Sequence, residues 1–134
     1  MALWRSTAVG AVEPYIGGDE LPLDYKVYVF GGRAEVVQVH KGRGRRHRWT
    51  QFDREWTPLS VDPIAVEAPS ELAQMLSAAE TMAGDDDFLR VDFYCEGGQL
   101  SFGECCLYPG SGLDPFTPDA LDLRLGKQWA EARA

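Results

Sequence analysis

Alternation between hydrophobic and polar positions along the chain predicts two β-hairpins. Aromatic and β-branched residues are dense in Tyr25–Phe30, and a similar pattern resumes in Ala34–His40 after two glycines. Such runs favour strands, and a Gly-Gly pair between them favours a tight turn. Residues 88–95 and 99–104 repeat the arrangement around a second Gly-Gly pair. We therefore expect two antiparallel strand pairs.

Apolar residues at helical spacing predict a helix between the two hairpins. It follows Pro69, with Ser70 as the predicted N-cap and Gly84 as the residue that ends it. Its apolar stripe recurs every three or four residues and contains Leu72, Met75, Leu76, Ala79, Met82 and Ala83. This stripe is typical of a helix that packs on a core.

A second helix is predicted near the end of the chain. It starts with Thr117 as the cap and Pro118 at the first helical position. Its apolar face holds Leu121, Leu125 and Trp129. Hairpins and helices in this order predict an α+β fold with a mostly antiparallel sheet and two flanking helices.

Three further segments have less regular patterns. Residues 1–12 are predicted to be an irregular N-terminal segment before a domain that spans 13–134, and Val12–Ile16 is predicted as a short strand. Glycines, two tryptophans and a proline predict a long loop over 41–60. This loop is either a functional element or a solvated basic face that its tryptophans anchor to the core.

Composition and charge narrow the class of protein. The 134 residues fit one domain, and a hydrophobic content of 45% fits a globular protein. The net charge of −8 argues against a nucleic-acid partner, although six of the 13 lysines and arginines fall within residues 41–54. Because no apolar run approaches the ~20 residues of a membrane helix and no apolar leader opens the chain, we expect a cytoplasmic protein without a membrane span. The three cysteines are expected to be reduced and to bind no zinc.

Three charged residues stand out inside the second predicted hairpin. Arg90 and Asp92 lie two apart on one strand and therefore share a face. Glu104 lies on the other strand. It shares the face of Arg90 and Asp92 only if the residue numbers of each cross-strand pair add up to an even number. We predict a three-residue loop over Glu96–Gly98, or a bulge with the same effect on the register.

The chemistry of this trio depends on that register. If Asp92 and Glu104 share a face, their carboxylates suit Mg²⁺, which prefers one or two acids together with substrate phosphates and water. Arg90 would then neutralise charge on a transferring phosphoryl group. The alternative is a structural Arg–carboxylate pair on a surface strand.

Five short motifs follow one another along the chain: LDYKVYVFGG, FDREW, RVDFY, FGE and YPGSG. In this order they resemble the ATP-grasp ligases, in the TupA-like branch of teichuronopeptide-type amidoligases, and the resemblance runs from about Glu13 to Gly126. It implies the C-terminal subdomain of an ATP-grasp fold. It also implies an ATP- and Mg²⁺-dependent carboxylate–amine ligase of cell-surface polymer or peptide biosynthesis. In such a reaction ATP phosphorylates a carboxylate, and an amine then displaces the phosphate.

The resemblance implies a role at each matching position. Asp92 and Glu104 match the residues that hold Mg²⁺ between the ATP phosphates, and Arg90 matches a catalytic arginine that contacts the transferred phosphate. Asp24 matches an acid that reaches the ribose hydroxyls, and Lys26 lies where a catalytic lysine is close to the phosphates or the acceptor. The backbone that meets adenine would be that of Glu13, Pro14, Tyr15 and Ile16.

Two loops are expected near the substrate. The basic residues of Lys41–Arg48 suit an anionic substrate or the ATP phosphate tail. The Pro109-Gly110 loop resembles one that approaches the substrate. The expected ligands are therefore ATP, Mg²⁺ and an anionic carboxylate substrate.

Two departures from the family pattern shape the functional prediction. Cys106, a poor Mg²⁺ ligand, stands where many ATP-grasp enzymes carry an asparagine. The chain also begins close to the adenine-contacting segment, so we expect a truncated or split half of a ligase that needs a partner to supply the missing N-terminal subdomain. We also expect some self-association. The apolar patch for that contact is expected at Leu3, Trp4, Tyr15 and Ile16. The alternative is a non-catalytic nucleotide-binding or interaction domain derived from the same fold.

Overall fold

The computed structural model describes residues 22–42, 46–107 and 115–134, which contain five strands and two helices. In chain order these are β1 (Asp24–Phe30), β2 (Arg33–Lys41), β3 (Arg48–Phe52), α1 (Leu72–Ala83), β4 (Phe88–Glu96), β5 (Gln99–Cys106) and α2 (Asp119–Arg133). The strands form one antiparallel sheet in the order β3-β2-β1-β4-β5. The predicted α+β fold is therefore confirmed. Among the described helices, neither has the length and apolar character needed to cross a membrane.

The central strand of the sheet is β1, and all seven of its residues are buried. It pairs with β2 through a turn at Gly31 and Gly32, both of which have positive φ. Glycine adopts such angles without the steric penalty of other residues, which explains the pair at this turn. On its other side β1 pairs with β4. The first predicted hairpin is confirmed.

One face of the sheet packs against α1. Tyr25, Val27 and Val29 of β1 share this face with Met75 and Ala79 of the helix, and all five are buried in one cluster. Most of the predicted helical stripe is confirmed, because the buried residues of α1 are Met75, Leu76, Ala79 and Ala83. The exception is Met82, which is 43% exposed. Full burial of one such side chain contributes roughly 1.5–3 kcal/mol, so this face supplies much of the stability.

The other face is covered in part by α2. The cluster beneath that helix comprises Tyr28, Phe30, Val36, Phe88, Leu121 and Leu125, with Leu59, Phe116 and Trp129 packed against it. Because side chains alternate along a strand, Asp24 and Lys26 lie on the same face as Tyr28 and Phe30. They are outside the apolar cluster, so this face continues beyond α2 as a polar surface.

The interpretation of residues 41–60 as a long loop is wrong, because β3 forms inside this range. The strand contains Thr50 and Gln51, which are polar and yet buried. A search for apolar alternation misses such a strand, since its stability comes from pairing with β2 rather than from a hydrophobic pattern. β3 is one edge of the described sheet.

The two tryptophans near β3 have different environments. Trp56 stacks on Phe52 with ring centroids 4.2 Å apart, and its Nε1–H donates to the Val66 carbonyl at 2.8 Å. It therefore anchors the turn after β3, as expected of a tryptophan here. Trp49 is 49% exposed and does not act as a core anchor.

Both predicted helix caps are wrong. The N-cap position of α1 is Glu71 rather than Ser70, and the Ser70 hydroxyl donates to the Glu71 carboxylate at 2.6 Å instead of capping the helix. At α2 the N-cap is Pro118, whose ψ of 167° is extended, so Pro118 is not the first helical residue and Thr117 is not the cap. The first turn instead begins at Asp119.

Some predictions lie outside the described residues. They are the irregular segment 1–12, the short strand Val12–Ile16, the adenine-contacting residues Glu13, Pro14, Tyr15 and Ile16, the apolar patch that includes Leu3 and Trp4, the Pro109-Gly110 loop, and two arginines of the basic segment, Arg43 and Arg45. These remain predictions.

Candidate functional site

A row of polar side chains crosses the whole described sheet beyond the α2 cluster. The strand registers place Gln51, Gln38, Lys26, Asp92 and Glu104 opposite one another from β3 to β5. Residues directly opposite in neighbouring strands lie on the same face. One surface thus brings together three of the predicted site residues with two glutamines that sequence reasoning missed.

The β4–β5 register reaches this arrangement through a bulge. Glu96 pairs with Gln99 across a two-residue turn, so the predicted three-residue loop is wrong. The register then shifts between Asp92 and Phe93, so that Asp92 pairs with Glu104 and Gly103 is the extra residue. The bulge we gave as the alternative therefore forms, and it turns Glu104 to the face of Asp92.

A glycine suits the bulge because its neighbours leave little room. A Cβ atom on Gly103 would lie 3.0 Å from Tyr94 Cε2 and 3.2 Å from the Asp92 carbonyl oxygen. Both distances are shorter than ordinary carbon contacts. The position of Glu104 is thus tied to a residue without a side chain.

Lys26 bridges two carboxylates on adjacent positions of the polar face. Its ammonium lies 2.6 Å from Asp92 Oδ2 and 3.0 Å from Asp24 Oδ2. Asp24 and Asp92 are 1% and 2% exposed, and Lys26 is 8% exposed. Buried charges of this kind are tolerated when they are paired, so Lys26 holds the two acids in the sheet.

Arg90 connects the buried acid to the exposed one. Its Nε and Nη2 donate to the two oxygens of Asp92 at 2.8 and 2.9 Å, which is a bidentate contact. The same Nη2 lies 3.2 Å from Glu104 Oε1. Bidentate pairs fix the orientation of the guanidinium as well as its position. The predicted grouping of Arg90, Asp92 and Glu104 on one face is confirmed.

Burial changes along this network. The side chain of Asp92 is 4% exposed and that of Glu104 is 67% exposed. Burial raises the pKa of the Asp92 carboxyl, and Lys26 and Arg90 oppose the rise. Burial favours a lower pKa for Arg90, but Asp92 outweighs it and raises that pKa. Arg90 therefore stays charged, and Glu104 is the solvent-facing end of the network.

Hydrogen bonds continue from this network toward β2 and β3. The Tyr28 hydroxyl lies 3.4 Å from Gln38 Oε1, and burial raises the Tyr28 pKa to about 12. Gln38 Nε2 donates to Gln51 Oε1 at 3.3 Å, and Gln51 Nε2 donates to the Thr117 carbonyl at 2.6 Å. The period of two along β1 and β2 could have revealed that Tyr28 and Gln38 share this face, whereas Gln51 lies on β3, which has no such pattern.

Fold and site together define an α+β domain whose antiparallel sheet carries a network of alternating acidic and basic side chains on one face. The model of the TupA-like ATPgrasp family matches residues 16–130 of the 134-residue chain, so the chain belongs to this family. Neither the curated proteins nor the solved structures gave a significant match. The resemblance that the sequence motifs indicated is therefore confirmed at the level of the family.

The family implies a metal ion, and the donor chemistry at Asp92 and Glu104 fits one. Two carboxylates opposite each other supply the hard oxygen atoms that Mg²⁺ prefers. Within residues 22–42, 46–107 and 115–134, no group of three or more His, Cys, Asp or Glu side chains could hold an ion alone. An ion here would need further oxygen atoms from a ligand, and it would share Asp92 with Lys26 and Arg90.

Proposed function

We propose that this chain provides the metal- and phosphate-binding sheet of an ATP- and Mg²⁺-dependent carboxylate–amine ligase. Membership of the TupA-like ATPgrasp family supports an ATP-grasp ligase relationship. The observation that carries the proposal is the pairing of Asp92 with Glu104, with Arg90 bonded to both. Such an arrangement offers two anionic ligands for an ion and one cation for a phosphate on the same surface.

The proposed roles follow the gradient of burial. Glu104, the exposed acid, meets the incoming metal–nucleotide first, while Asp92 is held in place from behind by Lys26. Asp92 and Glu104 would hold Mg²⁺, which would supply positive charge to stabilise the phosphoryl group during its transfer. Arg90, held in place by its bidentate contact with Asp92, would balance negative charge that develops on the phosphate during transfer.

Lys26 and Asp24 complete the proposed nucleotide side of the surface. Asp24 is the next residue on the same face of β1, and its carboxylate reaches the ribose hydroxyls in our proposal. Lys26 opposes the rise that burial causes in the Asp92 pKa, since an ammonium at 2.6 Å favours the charged carboxylate. The adenine contacts of Glu13, Pro14, Tyr15 and Ile16 remain a prediction.

The reaction proposed is a two-step ligation. A carboxylate oxygen of the substrate attacks the γ-phosphorus, and ADP leaves. The amine of the second substrate then attacks the acyl carbon, phosphate leaves, and the amine gives up a proton. The residues of this chain act in the first step by orienting the phosphate and balancing its charge.

The first test is calorimetric titration of the purified chain with ATP in the presence of Mg²⁺. We expect binding that weakens by about 10-fold or more in Glu104→Gln and after removal of Mg²⁺ with a chelator. Glu96→Gln is the matched control, because Glu96 is an exposed glutamate of the same hairpin and pairs with Gln99 at its turn. The proposal is wrong if the wild-type chain does not bind MgATP, or if both variants bind it equally well.

A second candidate, a nucleotide-binding domain without ligase activity, is favoured by one observation. Cys106 lies directly opposite Arg90, where a thiol is a poor ligand for a hard cation. Release of inorganic phosphate in the presence of candidate carboxylates and amines separates the two functions. Phosphate release supports the ligase, and MgATP binding without release supports the second candidate.

A further inference from the structure

Arg90 makes two unequal contacts with the acids around it. Its Nε and Nη2 donate to the two oxygens of Asp92 at 2.8 and 2.9 Å, and the Asp92 side chain is 4% exposed. The same Nη2 donates to Glu104 Oε1 at 3.2 Å, and the Glu104 side chain is 67% exposed. A buried bidentate pair is fixed in geometry, whereas a single contact with an exposed carboxylate contributes little. Glu104 can therefore leave Arg90 far more easily than Asp92 can.

Asp92 is also held by a second cation. The Lys26 ammonium lies 2.6 Å from Asp92 Oδ2 and is itself buried. Because withdrawal of Asp92 would leave buried charges without their partner, the contact between Arg90 and Asp92 is costly to break. Arg90 consequently keeps its position, and the exposed carboxylate of Glu104 is the group with freedom to move.

The β1 side of the Arg90 guanidinium is closed by a tyrosine. Tyr28 is the residue directly opposite Arg90 on β1, and it is 6% exposed. Burial raises the pKa of Tyr28 to about 12, and the charge of Arg90 and a hydrogen bond with it oppose the rise. Glu104 and Cys106 lie on the other side, on β5, an edge strand of the described sheet. An oxyanion from solvent therefore reaches Arg90 from the side on which Glu104 lies.

Glu104 and such an oxyanion compete for the same donor. Asp92 accepts two N–H groups of the guanidinium, and Glu104 accepts the one that faces solvent. Glu104 also repels an anion, since like charges at close range are unfavourable. Both obstacles disappear when the Glu104 carboxylate binds a cation, because it then leaves Nη2 and its charge is balanced. Asp92 lies directly opposite Glu104 and supplies a second carboxylate for that cation.

We infer that Glu104 is a specificity-determining residue, which occupies the oxyanion position on Arg90 until it binds a metal ion. This face of the sheet then accepts polyphosphate as its Mg²⁺ complex and disfavours the metal-free form. The inference rests on the proposed function, because that function makes Glu104 a Mg²⁺ ligand. It gives Glu104 a second role, which is to exclude metal-free anions by repulsion.

Anion binding without metal tests this second role directly. Pyrophosphate is added to the ¹⁵N-labelled chain in the presence of a chelator, and nuclear magnetic resonance follows the Arg90 Nε–H signal and the amide signal of residue 104. We expect Glu104→Gln to bind this probe about 3- to 10-fold more tightly than wild type, because the competing charge is gone. Calorimetry with MgATP should show the opposite change, a loss of about 10-fold or more in the same variant.

Glu96→Gln is the matched control for net charge. It removes the same charge from an exposed position of the same hairpin, roughly 20 Å along β4 from Arg90. Its affinity for metal-free pyrophosphate should stay within about twofold of wild type. The inference is wrong if Glu104→Gln does not bind the metal-free probe more tightly than wild type. It is also wrong if Glu96→Gln gains as much affinity, or if the signals that shift lie away from Arg90 and residue 104.

The two ligands keep this inference and the proposed function apart. If wild type binds MgATP, and Glu104→Gln loses MgATP affinity without a gain for metal-free pyrophosphate, only the competing role of Glu104 is wrong. If Glu104→Gln binds both ligands more tightly, Glu104 repels anions without holding a metal, and both proposals are wrong. If wild type does not bind MgATP, the proposed function is wrong, and the exchange of Glu104 from Arg90 to a metal is wrong with it.

Discussion

The two faces of the sheet bury different kinds of side chain. On the face under α1, Tyr25, Val27 and Val29 of β1 lie among other apolar side chains. On the opposite face, Asp24 and Lys26 of the same strand are almost as fully buried. One seven-residue strand therefore alternates between a hydrophobic core and a charged network.

This difference has an energetic consequence. Apolar burial is favourable in proportion to area and does not depend on a specific partner. Burial of charges is tolerated only while every partner is present, since removal of one leaves the others unpaired in a medium of low polarity. The polar face is therefore the more sensitive to single substitutions, and a binding surface is where such sensitivity is expected.

The largest expected effect is that of Lys26→Met, which removes the cation between Asp24 and Asp92. The free energy of unfolding should fall by about 3–5 kcal/mol, because two buried carboxylates lose their shared partner. Urea denaturation at neutral pH measures the change. Lys127→Met, at an exposed position of α2, should change it by about 0.5 kcal/mol or less. Equal stability of the two variants would contradict the contrast between the faces.

The next effect concerns the apolar face. Met75 is fully buried in α1, and Met75→Ala should lower the free energy of unfolding by about 3 kcal/mol through lost contacts and a cavity. Met82→Ala makes the same change at a side chain that is 43% exposed, and it should cost well under about 1 kcal/mol. Urea denaturation of both variants measures these changes in the free energy of unfolding. A large loss at Met82 would show that α1 uses a different face.

Some elements of the sheet and its helices could be predicted from the sequence, and others could not. The α1 stripe and the hairpins carry strong periodic signals, so they were predictable from Tyr25–Phe30 and from the spacing of Met75 and Ala79. β3 was not, because Thr50 and Gln51 are polar residues buried by hydrogen bonds, among them the 2.6 Å bond from Gln51 to the Thr117 carbonyl. Hydrogen bonds between distant segments leave no local pattern.

The sequence predicted which charged residues form the site, but it predicted only part of their geometry. Arg90 and Asp92 share a face by simple alternation, but the position of Glu104 depends on how the turn closes. A two-residue turn alone would have put Glu104 on the α1 face, and the bulge at Gly103 reverses this. A glycine inside a strand is a known signal of a β-bulge. Gly103 in the FGE motif therefore indicated the bulge, which the length of the turn alone does not predict.

The bulge gives a sharper test of how the polar face is built. Gly103→Ala adds a Cβ that would lie 3.2 Å from a backbone carbonyl oxygen, which cannot move as a side chain would. We expect a loss of about 1–2 kcal/mol in the free energy of unfolding. We also expect weaker MgATP binding, because Glu104 shifts from Asp92. Unchanged stability and binding would show that the register does not depend on Gly103.

Gly126→Ala is the matched substitution in α2. No atom lies within 4 Å of the added Cβ, and the residue is inside a continuous helix. Alanine should therefore stabilise the protein by about 0.5–1 kcal/mol. Urea denaturation should therefore show a lower free energy of unfolding for Gly103→Ala and a higher one for Gly126→Ala. Destabilisation by both would indicate that α2 does not accommodate alanine at this exposed position.

The smallest expected effect concerns a surface contact that fastens α1 to β2 and the turn after β3. Glu80 accepts hydrogen bonds from Arg54 and from the Ala34 N–H, and Arg54 also donates to the Ala34 carbonyl at 2.7 Å. Burial favours a higher pKa for Glu80, but Arg54 and Ala34 outweigh it and lower the pKa. A lowered pKa means that the contact stabilises the fold above the pKa of the unfolded chain, near 4.5, and that this stability is lost as the pH falls through the folded value.

Glu80→Gln should therefore lower the free energy of unfolding at pH 7 by about 0.5 kcal/mol, a small figure because the Glu80 side chain is 30% exposed and screened by solvent. The difference from wild type should shrink as the pH falls below about 4, where the wild-type carboxyl also becomes neutral. Urea denaturation at pH 7 and at pH 3.5 tests this, with Glu67→Gln as an exposed control outside α1. A difference that stays constant with pH would mean that the Glu80 charge is not the source. The attachment of α1 would then rest on its apolar stripe alone, and the face that α1 covers would need no charged contact at all.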